Sequence, residues 1–236
     1  MNIRFNRTDL AYNKNKNFKT LYFKDNKNIE VLTNNKKTHI IKFNYLCEEI
    51  KNVLKEELKT FINIKKLKSI LIVGLGNNAF TSDSIGPKVV KNINVNAHLI
   101  NLGLNTNNIK VYALEPGVLG QTGIETKKII SSIVKNIKVE SLIIIDSFIT
   151  DNLKYNQKTI QITTDGITAG SGIMGINSKI DKKSLGVPIV VIGIPTALEI
   201  SIHNQKLIVS TNSVDKYVND ISKIVADAIN EILYFS

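Results

Sequence analysis

Apolar residues recur with two different periods along this chain, and each period predicts a different kind of element. In LCEEIKNVLKEELKTFINI (46–64) they return every three or four residues, which predicts a helix with one apolar face. The same period in VDKYVNDISKIVADAINEIL (214–233) predicts a second long helix. Uninterrupted apolar runs, such as SLIIIDSF (141–148) and PIVVIGIPT (188–196), instead predict strands that are buried on both faces.

From about residue 69 onward the predicted strands and helices alternate. Strand SILIVGLG precedes helix IGPKVVKNI, strand VYALEPG precedes helix GIETKKIISSIVKNI, and strands SLIIIDSF, KTIQITT and PIVVIGIPT lead to the final helix. Alternation of this kind is typical of an α/β fold with a mostly parallel sheet flanked by helices. Upstream of it, NIEVLT and THIIKFNY predict a short N-terminal β appendage around the turn NNKK. We therefore expect one α/β domain over residues 28–236, preceded by a polar, loosely held arm over residues 1–27.

The net charge of +11 does not by itself predict a nucleic-acid partner. The lysines are dispersed among asparagines, as in NKNKNFK, and aromatic residues make up 6% of the chain, so we expect solvated faces and no direct contact with nucleic acid. The single cysteine, Cys47, excludes an internal disulfide and fits a reducing compartment. The first residues lack the apolar core of a secretory signal, and no apolar run approaches the roughly 20 residues that span a bilayer. These features predict a cytoplasmic protein without a membrane segment.

The segment GLGNNA (74–79) matches the dinucleotide-binding fingerprint G-x-G-x-x-G/A, but two features contradict that interpretation. An acidic residue that binds the ribose is expected about 20 residues downstream, yet none occurs between Asp83 and Glu115. A helix that began at the second glycine would also hold Pro87 in its interior, whereas a helix that begins near Ser84 accommodates this proline in its first turn. The glycines therefore predict a sharp turn that presents Asp83.

A second aspartate, Asp146, ends the apolar run of a predicted central strand. Ionised aspartate is rarely buried without a partner, and ligand sites of open α/β sheets lie at the carboxyl ends of strands. We therefore predict that Asp83 and Asp146 converge there. Such a pair can share a proton, so that one carboxylate deprotonates a water molecule while the other protonates or polarises a carbonyl. The alternative is structural: Asp83 caps the following helix, and Asp146 holds a neighbouring loop through backbone N–H groups.

Three glycine-rich loops follow predicted strands and offer backbone N–H groups to a bound peptide or an oxyanion. The alternative for each glycine is a tight turn with positive φ. The candidate binding residues are Gly76 and Asn77 in the first loop, Gly117, Gly120 and Gly123 in the second, and Gly170, Ser171 and Gly172 in the third.

Five blocks of the chain resemble, in order and spacing, the germination protease family of endospore-forming bacteria: GLGNNAFTSDSIGPKVV, EPGVLGQTGIETKKII, IIIDSF, TIQITTDGITAGSG and SLGVPIVVIGIPTALEISI. Members of this family degrade the small acid-soluble proteins that coat spore DNA. The resemblance implies an atypical aspartic endopeptidase that needs no cofactor, with Asp83 and Asp146 as the essential aspartates. It further implies a fold similar to that of hydrogenase-maturation proteases, a homotetramer, and a location in the cytoplasm of the forespore or spore core.

The resemblance also implies a processing step. The family is made as a zymogen and is cut within a block that corresponds here to RTDLA (7–11). By this resemblance, the peptide bond that is cut in the present chain is Asp9–Leu10.

The chain departs from the pattern of the family in several places. It is much shorter than typical members. Thr164 stands where an aspartate is usual, with Asp165 one place further on, and Asp151 stands where an arginine is usual. Thr168 and Ala169 replace a usual His-Pro pair. These changes predict an altered rim of the site and an altered substrate preference.

Two other functions fit the sequence. A metal-dependent peptidase of the hydrogenase-maturation type needs at least three ligands. A third ligand is hard to find here, because Thr168 replaces the histidine of the family and His98 is more simply a structural residue. A catalytically inactive relative would instead act as a binding or assembly protein during sporulation.

Overall fold

The computed structural model describes residues 18–34, 37–104, 107–169, 178–203 and 205–234 of the chain. The strands within these residues are β1 (Lys19–Lys24), β2 (Ile29–Asn34), β3 (Thr38–Phe43), β4 (Ser69–Gly74), β5 (Lys110–Leu114), β6 (Ser141–Thr150), β7 (Thr159–Thr163), β8 (Ile167–Ala169), β9 (Ser178–Ile180), β10 (Ile189–Ile202) and β11 (Gln205–Val209). The α-helices are α1 (Glu49–Phe61), α2 (Ile85–Lys91), α3 (Ala97–Asn101), α4 (Leu119–Thr122), α5 (Thr126–Ile137), α6 (Lys182–Leu185) and α7 (Val214–Tyr234).

One large sheet organises the described residues, and β8 and β9 form a separate hairpin. The strand order across the large sheet is β1-β2-β3-β7-β10-β6-β4-β5, and β11 pairs with the second half of β10. Strands β5, β4, β6 and β10 run parallel to one another, while the other strands are added by antiparallel pairing. The predicted fold class is confirmed: an α/β protein whose sheet is parallel in its core, flanked by helices, with additional N-terminal strands.

Two apolar clusters lie on opposite faces of the large sheet. Side chains of a strand alternate between the faces, and in β6 Ile143 and Ile145 belong to the first cluster while Leu142 and Ile144 belong to the second. Helix α7 packs against α1 and α2 on the first face. None of the described helices, α7 included, has an apolar stretch long enough to cross a bilayer. The second face is covered by α5 and the β8–β9 hairpin through Ile130, Val134, Ile167 and Ile180.

The predicted N-terminal appendage forms and extends the large sheet. NIEVLT and THIIKFNY contain β2 and β3, and β3 joins the sheet by pairing with β7. Strand β1, in contrast, lies inside the range predicted to be a loosely held arm. It pairs with β2 at the sheet edge, and its Tyr22 donates a hydrogen bond to the buried Glu57 of α1, which is also bonded to His39 of β3. The strand has Leu21, Tyr22 and Phe23 in a row between polar residues, which is too short a run without alternation to predict a strand, and only Tyr22 is partly buried. The division between residues 27 and 28 stays a prediction.

The apolar periods do not predict the short elements α3, α6, β8, β9 and β11. Each of them is five residues long or shorter, which is too short for a period to be visible. Their conformation depends on neighbours in space, as in β11, which is formed by pairing with the end of β10.

The start of α2 packs against the end of β4 at two glycines. The helix begins where Pro87 falls in its first turn, as predicted. A Cβ on Gly86 would overlap the backbone of Leu75, and a Cβ on Gly74 would overlap the carbonyl group of Gly86. This close approach fixes α2, and with it the preceding loop that carries Asp83, against the carboxyl end of β4.

We expect Gly86→Ala to lower the free energy of unfolding by about 1–3 kcal/mol, the usual cost of overpacking a rigid contact. Urea denaturation followed by circular dichroism measures this change. The matched control is Gly120→Ala in α4, where an added Cβ meets open space. This control should leave stability unchanged or raise it by up to about 1 kcal/mol. Equal stability of Gly86→Ala and the wild type would contradict the packing of α2 on β4.

Candidate active site

Both predicted aspartates lie at the carboxyl end of β4. Asp83 ends the 3-10 turn Thr81–Asp83, which follows β4 and precedes α2. Asp146 lies on β6, one position beyond the last residue of that strand that pairs with β4. The sequence places Asp146 at the end of an apolar run, but β6 continues beyond it. Strand β10 pairs with β6 as far as Thr150. Asp146 therefore lies where β6 has lost one of its two neighbouring strands.

The carboxylate of Asp83 is held at both oxygens. Ser147 Oγ donates a hydrogen bond to Oδ1 at 2.9 Å, and the backbone N–H of Asn77 donates to Oδ2 at 2.9 Å. Gly76 permits this closure of the loop, because its φ of +120° and its missing Cβ leave room for the carbonyl group of Asp83. The hydrogen bonds of this carboxylate thus go to the loop and to β6 rather than to the amides of α2, which does not fit the capping alternative.

Asp146 is buried, with 8% of its surface exposed, and its Oδ1 accepts a hydrogen bond from the backbone N–H of Ser147 at 2.9 Å. Burial raises the pKa of Asp146 well above its ordinary value, and the negative charge of Asp83 raises it further. Burial also raises the pKa of Asp83, but the hydrogen bonds from Ser147 and Asn77 oppose this rise. Asp83 therefore ionises at a lower pH than Asp146, and between the two ionisations the pair carries one negative charge.

The two carboxyl groups approach the edge of the sheet from its two sides and are close enough for the charge of Asp83 to raise the pKa of Asp146. Asp146 shares the face of Ile144 and Phe148, which pack in the second cluster. Ser147 shares the face of Ile145, which packs in the first cluster, and it is from this side that Asp83 is bonded. The hydrogen bonds of the described residues do not include one between the two carboxyl groups.

The first two glycine-rich loops are joined beside this pair. Asn77 Oδ1 accepts a hydrogen bond from Gln121 Nε2 of α4 at 2.8 Å and another from the backbone N–H of Ala79 at 2.9 Å. Since the backbone N–H of Asn77 also donates to Asp83, this one residue connects the loop after β5 to the Asp83 carboxylate. These hydrogen bonds bring the two loops together beside Asp83.

The glycines of these loops differ in conformation. Gly76, Gly117 and Gly123 have φ values of +120°, +70° and +68°, as the tight-turn alternative predicts, whereas Gly120 lies inside α4. A contact between substrate and any of these residues, or Asn77, stays a prediction. Other predicted residues lie outside the described part of the chain: Gly170, Ser171 and Gly172 of the third loop, and Asp9 and Leu10 of the processing site.

Three side chains that hold this site are not among the predicted residues: Ser147, Gln121 and Thr196. Thr196 of β10 is buried, and its Oγ1 donates a hydrogen bond to the carbonyl oxygen of Ser82 at 2.5 Å, which anchors the turn on the sheet. The sequence signal for Ser147 and Thr196 is a polar residue at the end of an apolar run. Gln121 carries no such signal, since it lies in a polar loop.

The described residues contain no group of three His, Cys, Asp or Glu side chains that is arranged to hold a metal ion. His98, the histidine considered as a further ligand, is exposed on the short helix α3. Thr168 lies on β8, in the hairpin that covers the second face.

The sequence model of the germination protease family matches residues 24–206 of this chain. Curated relatives named germination protease include those of Clostridium perfringens (38% identical over 157 residues), Clostridium acetobutylicum (40% over 158) and Clostridium tetani (33% over 184). These alignments cover 65%, 64% and 75% of this chain, and 48%, 48% and 54% of the relatives. The chain therefore spans about half the length of the curated relatives it matches.

Among solved structures, a NiFe hydrogenase maturation protease from Thermococcus kodakarensis KOD1 is similar to this chain, with a TM-score of 0.41 and 14% sequence identity. The alignment covers 75% of this chain and 98% of that one.

The family match extends from the end of β1 to β11 and includes both aspartates, the loops that border them and the whole parallel core of the sheet. It is well over half of the chain. The resemblance seen in the sequence blocks is confirmed, and the chain belongs to the germination protease family.

Proposed function

We propose that this chain is an endopeptidase in which Asp83 and Asp146 activate water for attack on a peptide bond. One observation carries the proposal: two carboxyl groups with unequal burial and unequal hydrogen bonding lie at the carboxyl end of the sheet. Asp83 accepts two hydrogen bonds that favour its ionised form, whereas burial favours the protonated form of Asp146. Two acids whose pKa values are pushed apart can serve as base and acid in one reaction. Membership in the germination protease family supports proteolysis as that reaction.

In the proposed reaction, ionised Asp83 accepts a proton from a water molecule, and the oxygen of that water forms a bond to the carbonyl carbon of the peptide. The O–H group of Asp146 donates a hydrogen bond to the carbonyl oxygen and stabilises the negative charge that develops there. The C–N bond of the tetrahedral intermediate then breaks, and the proton held by Asp83 passes to the leaving amine. Asp83 returns to its ionised form, and Asp146 keeps its proton throughout.

We further propose that the substrates are the small acid-soluble DNA-binding proteins of spores, degraded during germination in the spore core by a homotetramer. Family membership, together with the resemblance of five sequence blocks, supports this assignment. The departures at Asp151, Thr164 and Thr168 favour a substrate preference that differs from that of the relatives.

Incubation of the full chain with a purified small acid-soluble spore protein, with and without EDTA, separates this function from the alternatives. Cleavage that is unaffected by EDTA supports the aspartate pair. Cleavage that EDTA abolishes indicates a metal-dependent peptidase, and intact substrate under both conditions indicates a binding protein. Mass spectrometry of the products identifies the bond that is cut.

Asp83→Asn and Asp146→Asn should each lower the rate of cleavage by about 10²–10⁴-fold, because an amide preserves the shape of the side chain but not the proton transfer. If the two residues act as a unit, the double variant should be no slower than either single variant. Asp227→Asn, on the exposed side of α7, is the matched control and should cleave at the wild-type rate. Wild-type turnover by either site variant would exclude that aspartate from the reaction.

Asp146→Asn should also stabilise the folded chain at neutral pH. The folded-state pKa of Asp146 is raised, so the folded chain keeps a proton at pH values where the unfolded chain has lost it. Wild-type stability therefore falls as pH rises through that window, whereas below the unfolded pKa of about 3.9 both states are protonated. The gain in free energy of unfolding on substitution should grow between about pH 4 and pH 7, as measured by urea denaturation at each pH. A gain that is constant with pH would contradict a protonated Asp146.

We also propose that the chain is processed between Asp9 and Leu10, residues that lie outside the described part of the structure. Incubation under mildly acidic, dehydrating conditions should release the first nine residues slowly. Since the cut depends on the same site, Asp83→Asn and Asp146→Asn should prevent it. Intact mass spectrometry measures the loss, and an unshifted mass in a chain that still cleaves its substrate would show that no processing is needed.

A further inference from the structure

We propose that Ser147 is a positioning residue: its hydroxyl group holds Asp83 in the ionised form and the orientation that accept a proton from water. This inference rests on the function proposed above and assigns a role to a residue beside the aspartate pair. Ser147 is buried, with 8% of its surface exposed, and lies next to Asp146 on β6.

Ser147 contacts both aspartates through different groups. Its backbone N–H donates to Asp146 Oδ1 at 2.9 Å, and its hydroxyl group donates to Asp83 Oδ1 at 2.9 Å. Removal of the hydroxyl group therefore changes the surroundings of Asp83 while the hydrogen bond to Asp146 is kept. This difference makes the role of the side chain separable from that of the backbone.

Within the described part of the chain, the hydroxyl group is one of two donors to the Asp83 carboxylate. The other is the backbone N–H of Asn77, which binds Oδ2. A donor aimed at a carboxylate stabilises the ionised form over the protonated form. Without Ser147 Oγ, one donor remains to oppose the effect of burial, and a larger fraction of Asp83 is protonated at any given pH.

Other titratable groups lie on the elements around the turn that carries Asp83. A test of Ser147 has to leave their charges unchanged. The elements that pack against this turn are α2, α7, β6 and β10. Several of their charged side chains are engaged with partners of their own: Lys88 donates to Asn219, Lys216 pairs with Asp220, and Glu199 pairs with Lys206. The titratable residues on these elements are Asp146 on β6, Lys88 and Lys91 on α2, Glu199 on β10, and Asp215, Lys216, Tyr217 and Asp220 on the first turns of α7.

The test compares three variants over a range of pH. In Ser147→Ala, the acidic limb of the profile of kcat/KM against pH should shift to higher pH by about one unit. This shift is about a tenfold loss of activity on that limb, with a smaller loss on the plateau. Ser147→Thr keeps a hydroxyl group and should restore the limb toward its wild-type position. Thr196→Val is the matched control, since Thr196 anchors the same turn at the Ser82 carbonyl. It should lower activity or stability without moving the limb.

A second measurement does not depend on turnover. Carbon-detected NMR of the side-chain carboxyl groups should show that Asp83 titrates at higher pH in Ser147→Ala than in the wild type and in Thr196→Val. An unchanged Asp83 titration, or an unmoved acidic limb in an active Ser147→Ala variant, overturns the inference. If the wild type does not cleave at all, the proposed function is wrong, and so is the part of Ser147 in it. The titration then decides on its own whether the hydroxyl group holds Asp83 ionised.

Discussion

The candidate site depends on the parallel pairing of β6 between β4 and β10. β6 is buried along most of its length, and its apolar side chains contribute to the clusters on both faces. Strand β4 ends first while β10 continues, so Asp146 lies beside a place where one neighbouring strand is missing. A carboxyl group within a fully paired, fully covered strand would be costly and inaccessible. Because β4 ends first, Asp146 is buried but has no neighbouring strand on that side of β6.

The two aspartates differ in their hydrogen-bond donors and in their burial, since Asp146 is buried and Asp83 is partly buried. Asp83 has a donor at each oxygen, supplied by Ser147 and Asn77, whereas Asp146 accepts one backbone N–H bond and lies in the field of Asp83. Burial raises the pKa of both groups, and the donors limit that rise at Asp83 more than at Asp146. The identical side chains are therefore suited to different tasks.

The loop that carries Asp83 is held from several directions. The glycine contact between Gly74 and Gly86 sets the distance between β4 and α2. Thr196 anchors the turn on β10, and the bond from Gln121 to Asn77 connects it to the loop after β5. Groups that carry out proton transfer need positions held to fractions of an ångström, which loops reach only when such contacts restrain them.

The sequence by itself determined the periodic elements and the start of α2 ahead of Pro87, and it predicted Asp83 and Asp146 as an acidic pair, because local spacing and residue type contain this information. Tertiary structure alone decided that β3 pairs with β7, that β1 joins the sheet from within the polar N-terminal range, and that Ser147 bonds Asp83 across 64 positions of the chain. Local periodicity indicates which face of a helix or strand is buried, but it does not indicate which other element packs against or pairs with that element. Partners are selected when strands distant in sequence are brought into one sheet.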